Sequence, residues 1–100
     1  MAIVIGDLLD LRKRLSSGLR GYPAGCCLYT SARVEWESGL VRVDGHYIDD
    51  DGFAYQHSWN LDPETGKYVD LTANQFDHTL PEIVILDRNS EEAQRRYLEF

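Results

Sequence analysis

The sequence predicts an α+β domain in which N-terminal helices pack on an antiparallel β-sheet. Three observations predict it. Leucines recur at helical spacing before residue 20, the pattern switches to two-residue alternation from Leu40, and two strong turn signals divide the alternating half into hairpins. One hundred residues make a single domain, 1–100, with no room for a second core. A hydrophobic fraction of 43% and a charged fraction of 27% are those of an ordinary globular chain, so a packed interior is expected.

Leu8, Leu11, Leu15 and Leu19 lie on one face of a helix expected over residues 7–19, with Asp7 as its cap and Asp10 in the first turn. Gly18, Gly21, Tyr22, Pro23 and Gly25 then break the chain, and a second helix is expected from Cys26 to Glu37. Val41, Val43, Gly45 and Tyr47 alternate with Arg42, Asp44 and His46 as in a half-buried strand. Asp49-Asp50-Asp51-Gly52 marks a turn. Beyond it Phe53, Tyr55, His57 and Trp59 share one face of a second strand. Asp62-Pro63-Glu64-Thr65-Gly66 marks another turn, Lys67 to Thr72 reads as a third strand and Glu82 to Leu86 as a fourth. Ser90 caps a short last helix, with Glu91 and Glu92 at its start and Arg95 and Arg96 at its end, which suits the helix dipole.

A net charge of −7 argues against nucleic acid as a partner, since phosphates require a basic face. Arg12-Lys13-Arg14 and Arg95-Arg96 read as solvated helix faces. No apolar run approaches the length that spans a bilayer, so no membrane partner is expected. The start, MAIVIGDLLDLRKR, lacks the basic flank and cleavage site of a secretory leader. The expectation is a cytoplasmic chain, or one delivered to a target cell as an effector. Oligomeric state is not legible.

Cys26 and Cys27 are adjacent, and a bond between neighbours needs a strained ring, so the sequence predicts free thiols. A thiol at the start of a helix that follows a glycine-rich turn has its pKa lowered by the helix dipole. If Leu61 and Gly66 flank the second hairpin loop, pairing outward places His57 directly opposite Asp70 on one face. A register slip of one residue would send them to opposite faces. A carboxylate beside a histidine fixes its tautomer and stabilises the imidazolium, the orienting role in a nucleophile–base–acid triad. His46 and His78 have no partner at metal-ligand spacing, and neither metal nor cofactor is expected.

Three segments also resemble those of transglutaminase-like, papain-related cysteine enzymes. Gly25-Cys26-Cys27-Leu28-Tyr29-Thr30-Ser31 is similar to the nucleophile segment, and His57-Ser58-Trp59-Asn60 to the histidine strand. Val69-Asp70-Leu71-Thr72-Ala73-Asn74-Gln75-Phe76 is similar to the acid strand and its exit, with the D-x-T-A-x-Q-F pattern of many bacterial members. The resemblance implies Cys27 as nucleophile, His57 as base and Asp70 as orienting acid, with Cys26 the alternative nucleophile under a one-residue misalignment. It implies attack on a peptide or carboxamide carbonyl of a protein or peptide substrate, ending in proteolysis, deamidation or transamidation. No glutamine stands just upstream of the cysteine, so the oxyanion donors fall to the Cys27 amide and to a second group such as Tyr22. Trp59 and Gln75 are further substrate or oxyanion candidates, Gln75 also as a tie for the loop after the third strand. The alternative readings are a non-catalytic acidic protein-binding module on the same fold, and a metal-binding regulator.

Overall fold

A computed structural model of the chain describes residues 4–100. Met1, Ala2 and Ile3, where the reading of the N-terminus as no leader begins, lie outside the described residues. The fold is α+β, with helices and a five-stranded antiparallel sheet. Among the described residues no helix is long and apolar enough to cross a membrane.

Helix α1 (Ile5–Gly18) buries Leu8, Leu11 and Leu15, as their spacing requires. It begins two residues earlier than Asp7 would set it. Val4 occupies the cap position with no side-chain bond, and Asp7 falls in the first turn, where its charge still suits the dipole. Arg12 is a larger departure. It is 7% exposed, because its Nε donates to the Leu71 carbonyl at 2.9 Å and its Nη2 to Asn74 Oδ1 at 3.1 Å. Its guanidinium also lies 5.2 Å from the centre of the Tyr22 ring. A long side chain with fixed acceptors at its end can be buried where a run of basic residues suggests solvent.

Helix α2 (Cys27–Ser38) ends at Gly39, whose φ of +76° is the left-handed cap that glycine adopts without strain. Strands β1 (Val41–Ile48) and β2 (Ala54–Asp62) form the long hairpin, followed by β3 (Lys67–Asp70) and β4 (Val84–Asp87). Helix α3 (Glu91–Arg96) starts at Ser90, whose hydroxyl accepts from the Ala93 amide at 3.1 Å. A fifth strand, β5 (Tyr97–Glu99), follows at once and pairs with β1, giving the order β4-β3-β2-β1-β5.

The two sides of the sheet carry different interiors. Leu8, Leu11 and Leu15 of α1, Val34 of α2, Leu40, Val69 and Leu71 form an aliphatic cluster on one side. Tyr47, Trp59, Tyr68, Ala93 and Tyr97 form an aromatic cluster on the other, beneath α3. Helices thus cover both faces, and the middle of β2 is buried without alternation from His57 to Asn60.

The second hairpin differs in frame from the one expected. Asp62, not Leu61, pairs with Lys67, and the ladder continues through Leu61↔Tyr68 to Asn60↔Val69. Asp62 shifts the frame because its carboxylate takes the Glu64 amide at 3.0 Å and the Thr65 hydroxyl at 2.9 Å, while its carbonyl receives the Gly66 amide at 2.8 Å. The register therefore moves by two residues, and extended one step it sets Trp59, not His57, opposite Asp70. A two-residue shift preserves the face, so Asp70 reaches His57 along the diagonal.

Candidate active site

Cys27 is the first residue of α2, delivered by a turn in which Gly25 takes a φ of +71° and the Cys26 amide bonds back to Pro23 at 3.0 Å. Gln75 ties this turn down from across the molecule, its Oε1 accepting the Gly25 amide at 3.1 Å. This bond joins the loop after β3 to the turn before Cys27, while the buried Gln75 Nε2 has no hydrogen-bond partner among the described residues. Cys26 sits half-buried with its thiol toward the Ala24 carbonyl, 3.5 Å away. Cys27 instead lines a cleft of about 330 Å³ together with Leu28, Asp44, Gln56, His57, Ser58 and Phe100. Of the two adjacent thiols, the second is the one placed beside the histidine.

His57 and Asp70 meet in the interior, at 2% and 1% exposure. His57 Nε2 lies 2.7 Å from Asp70 Oδ2. The carboxylate is held on every side: the Tyr97 hydroxyl donates to Oδ2 at 2.9 Å, and the Thr72 amide and hydroxyl donate to Oδ1 at 2.9 and 3.3 Å. Burial alone would raise the Asp70 pKa, but the imidazolium and these donors outweigh it and hold the acid below its usual value. Burial likewise favours neutral His57. The charge and hydrogen bond of Asp70, with a smaller part from Cys27, reverse that and push the ring up to about 9. The ion pair wins over desolvation in both partners.

The thiol completes the set. The adjacent His57 ring is the largest cause lowering the Cys27 pKa. Burial opposes that, and the charge of the ring and the backbone amides of Ser58 and Leu28 add to the lowering. Since Nε2 is committed to Asp70, Nδ1 is the ring nitrogen left to face the sulfur, and this buried atom has no hydrogen-bond partner among the described residues. The β2–β3 ladder stops at Asn60↔Val69, so β3 does not pair with His57 or Ser58. Trp59 stacks on the imidazole at 5.8 Å and 24°, and Phe76 meets it edge-on at 4.9 Å and 84°, which fixes the ring plane.

Trp59 itself is buried, so it supports the histidine rather than meeting substrate. The Tyr22 hydroxyl accepts from Thr30 at 3.2 Å, its ring packs against the aliphatic cluster, and no hydrogen bond among the described residues joins it to Cys27 or His57. The acid pocket also contains Tyr97, which the sequence reading passes over. Its one signal is alternation over four residues after a helix, too short to separate from a continuation of that helix. A larger hollow of about 380 Å³, lined by Asp49, Asp50, Asp51, Asp77 and His78, holds no thiol. His46 lies against Phe100, and among the described residues no group of three or more His, Cys, Asp or Glu side chains could hold a metal ion.

The arrangement favours the thiolate over an ordinary cysteine, places a proton donor in the adjacent imidazolium, and keeps that ring oriented by a buried carboxylate. Comparison of the chain with known protein families, with curated proteins and with solved structures finds no match.

Proposed function

We propose that this protein is a cysteine-dependent hydrolase or acyltransferase acting on a peptide or carboxamide carbonyl, with a transglutaminase-like core and Cys27, His57 and Asp70 as its triad. The observation that carries the reading is the buried His57–Asp70 pair at 2.7 Å beside a half-exposed thiol whose pKa that histidine lowers. A structural cysteine buried among apolar groups would have its pKa raised instead.

In this scheme the Cys27 thiolate attacks the carbonyl carbon. A carbon–sulfur bond forms as the carbonyl π electrons move to oxygen, and the free amides of the first turn of α2 receive the oxyanion. The tetrahedral intermediate collapses, the carbon–nitrogen bond breaks, and the His57 imidazolium gives its proton to the departing amine. Water, deprotonated by the now neutral His57, then attacks the thioester and releases an acid. An amine in its place gives a new amide. Asp70 remains ionised throughout and orients the ring.

The test is the rate of Cys27 alkylation by iodoacetamide against pH, read by peptide mapping that separates Cys26, in the wild type and in His57→Ala. The expected wild-type profile shows a thiolate arm well below pH 8 that His57→Ala abolishes. A profile that titrates like an ordinary thiol in both proteins overturns the triad, and the binding-module reading takes its place.

A further inference from the structure

Resting on the reading of Cys27 as nucleophile, we propose that the cleft beside it selects substrates with a cationic side chain, a lysine or arginine, next to the attacked carbonyl. The lining contains one carboxylate, Asp44, and no permanently basic side chain. Asp44 stands opposite Ser58 in the β1–β2 ladder, on the other face of the strand pair from His57, and it lines the same cleft as Cys27 and His57. The Ser58 hydroxyl donates to Asp44 Oδ1 at 2.7 Å and holds the carboxylate in one orientation. Its other oxygen meets Arg42 at 3.5 Å, with both side chains well exposed to water. An exposed pair of that length is worth about 0–1 kcal/mol and leaves Asp44 available to a stronger partner.

The flanks of the cleft are apolar. Leu28, just after the nucleophile, is 55% exposed, and Phe100 is 72% exposed. Phe100 is positioned by its amide bond to the Asp44 carbonyl at 3.1 Å and by edge contact with His46 at 4.9 Å. Two exposed apolar side chains beside a fixed carboxylate match an extended methylene stem that ends in a positive charge. The net charge of −7 adds a long-range pull on the same substrates, but Asp44 is the group that would discriminate at the site.

The experiment compares three thiol probes on the intact chain: iodoacetamide, a haloacetamide carrying a short alkylammonium arm, and iodoacetate. In each the Cys27 thiolate displaces iodide, the haloacetamide being an N-substituted iodoacetamide, and every rate is divided by that of the same probe with a small free thiol, which leaves the charge of the arm as the variable. Second-order rates at Cys27 are measured in 0.15 M salt for the wild type, for Asp44→Asn, and for Asp51→Asn. The last removes the same charge from the far turn of the hairpin. The expected result is a cationic-to-neutral rate ratio of roughly tenfold, with iodoacetate slowest. Asp44→Asn brings the ratio toward one and Asp51→Asn leaves it in place. A ratio near one in the wild type, or one that falls equally in both variants, overturns the proposal, while fast labelling by iodoacetamide still supports the triad. If Cys27 reacts with none of the probes, the triad reading and this inference fall together.

Discussion

Two donors share the Oδ2 atom of Asp70, the ring of His57 at 2.7 Å and the hydroxyl of Tyr97 at 2.9 Å. Each draws on the same negative charge, so removing one strengthens the other. Tyr97→Phe should therefore raise the His57 pKa above its wild-type value of about 9 and move the alkaline limb of the alkylation profile upward. A lost hydrogen bond to a charged group costs about 1.5–3 kcal/mol of stability, so denaturation and the pH profile would both shift. A shift in stability alone would make Tyr97 merely structural. Asp70→Asn goes the other way. Without the carboxylate, burial is opposed only by the thiol, His57 loses its charge near neutrality, and thiolate reactivity below pH 8 should fall about tenfold for each unit by which the thiol pKa rises, as the same alkylation assay would show. At this scale Cys27, His57 and Asp70 were legible because each bears chemistry and lies on an element with a strong pattern. Tyr97 was not, since one tyrosine among several carries no mark of the carboxylate it meets. Arg12 was misread because its acceptors, the Leu71 carbonyl and Asn74, come from a loop about 60 residues away.

Strand β5 owes its seat to Gly45, where β1 must let the next strand and a buried indole come close. A Cβ at that position would collide with the Leu98 carbonyl oxygen and lie 2.7 Å from Trp59 Cη2. A backbone oxygen in a ladder cannot swing aside, so Gly45→Ala should push β5 off β1. Overpacking of this kind costs about 1–3 kcal/mol, and chemical denaturation would measure it. Because Tyr97 leaves with β5, the variant should also reproduce the shifted pH profile of Tyr97→Phe. An unshifted profile in a destabilised variant would separate the strand from the site. Elements with many periodic residues, α1, α2 and the β1–β2 hairpin, were readable to within two residues. The hairpin frame was not, because the bonds of Asp62 to its own turn decide between two loops of equal length. The expected face nevertheless held, since the error was two residues and the pleat repeats every two.

Across the whole molecule the buried His57–Asp70 pair is a source of stability, and its sign follows from the two pKa shifts. His57 is raised from 6.5 to about 9, so its contribution is complete below pH 6.5 and fades as pH rises through 9. Asp70 is lowered from 3.8, so its contribution is complete above that value and fades in stronger acid. Denaturation of Cys27→Ala, which removes the thiol's own titration, should thus show a plateau from about pH 4 to 6.5 and a decline toward pH 9. The same scan on Cys27→Ala with Asp70→Asn should lose that alkaline decline. The helix-and-sheet class was legible from periodicity. The covering of both faces was not, because it depends on α3 crossing to the aromatic side, a long-range packing choice. The stretch from Asp70 to Gln75 touches three separate parts at once: His57 through Asp70, α1 through Leu71 and Asn74, and the turn before Cys27 through Gln75. Six consecutive residues with those attachments cannot open for one without opening for all, which makes them a cooperative unit. Deuterium should therefore enter the buried amide of Thr72, which bonds to Asp70, at the rate at which this whole stretch detaches, so a single slow-exchanging proton reports whether the proposed triad is assembled.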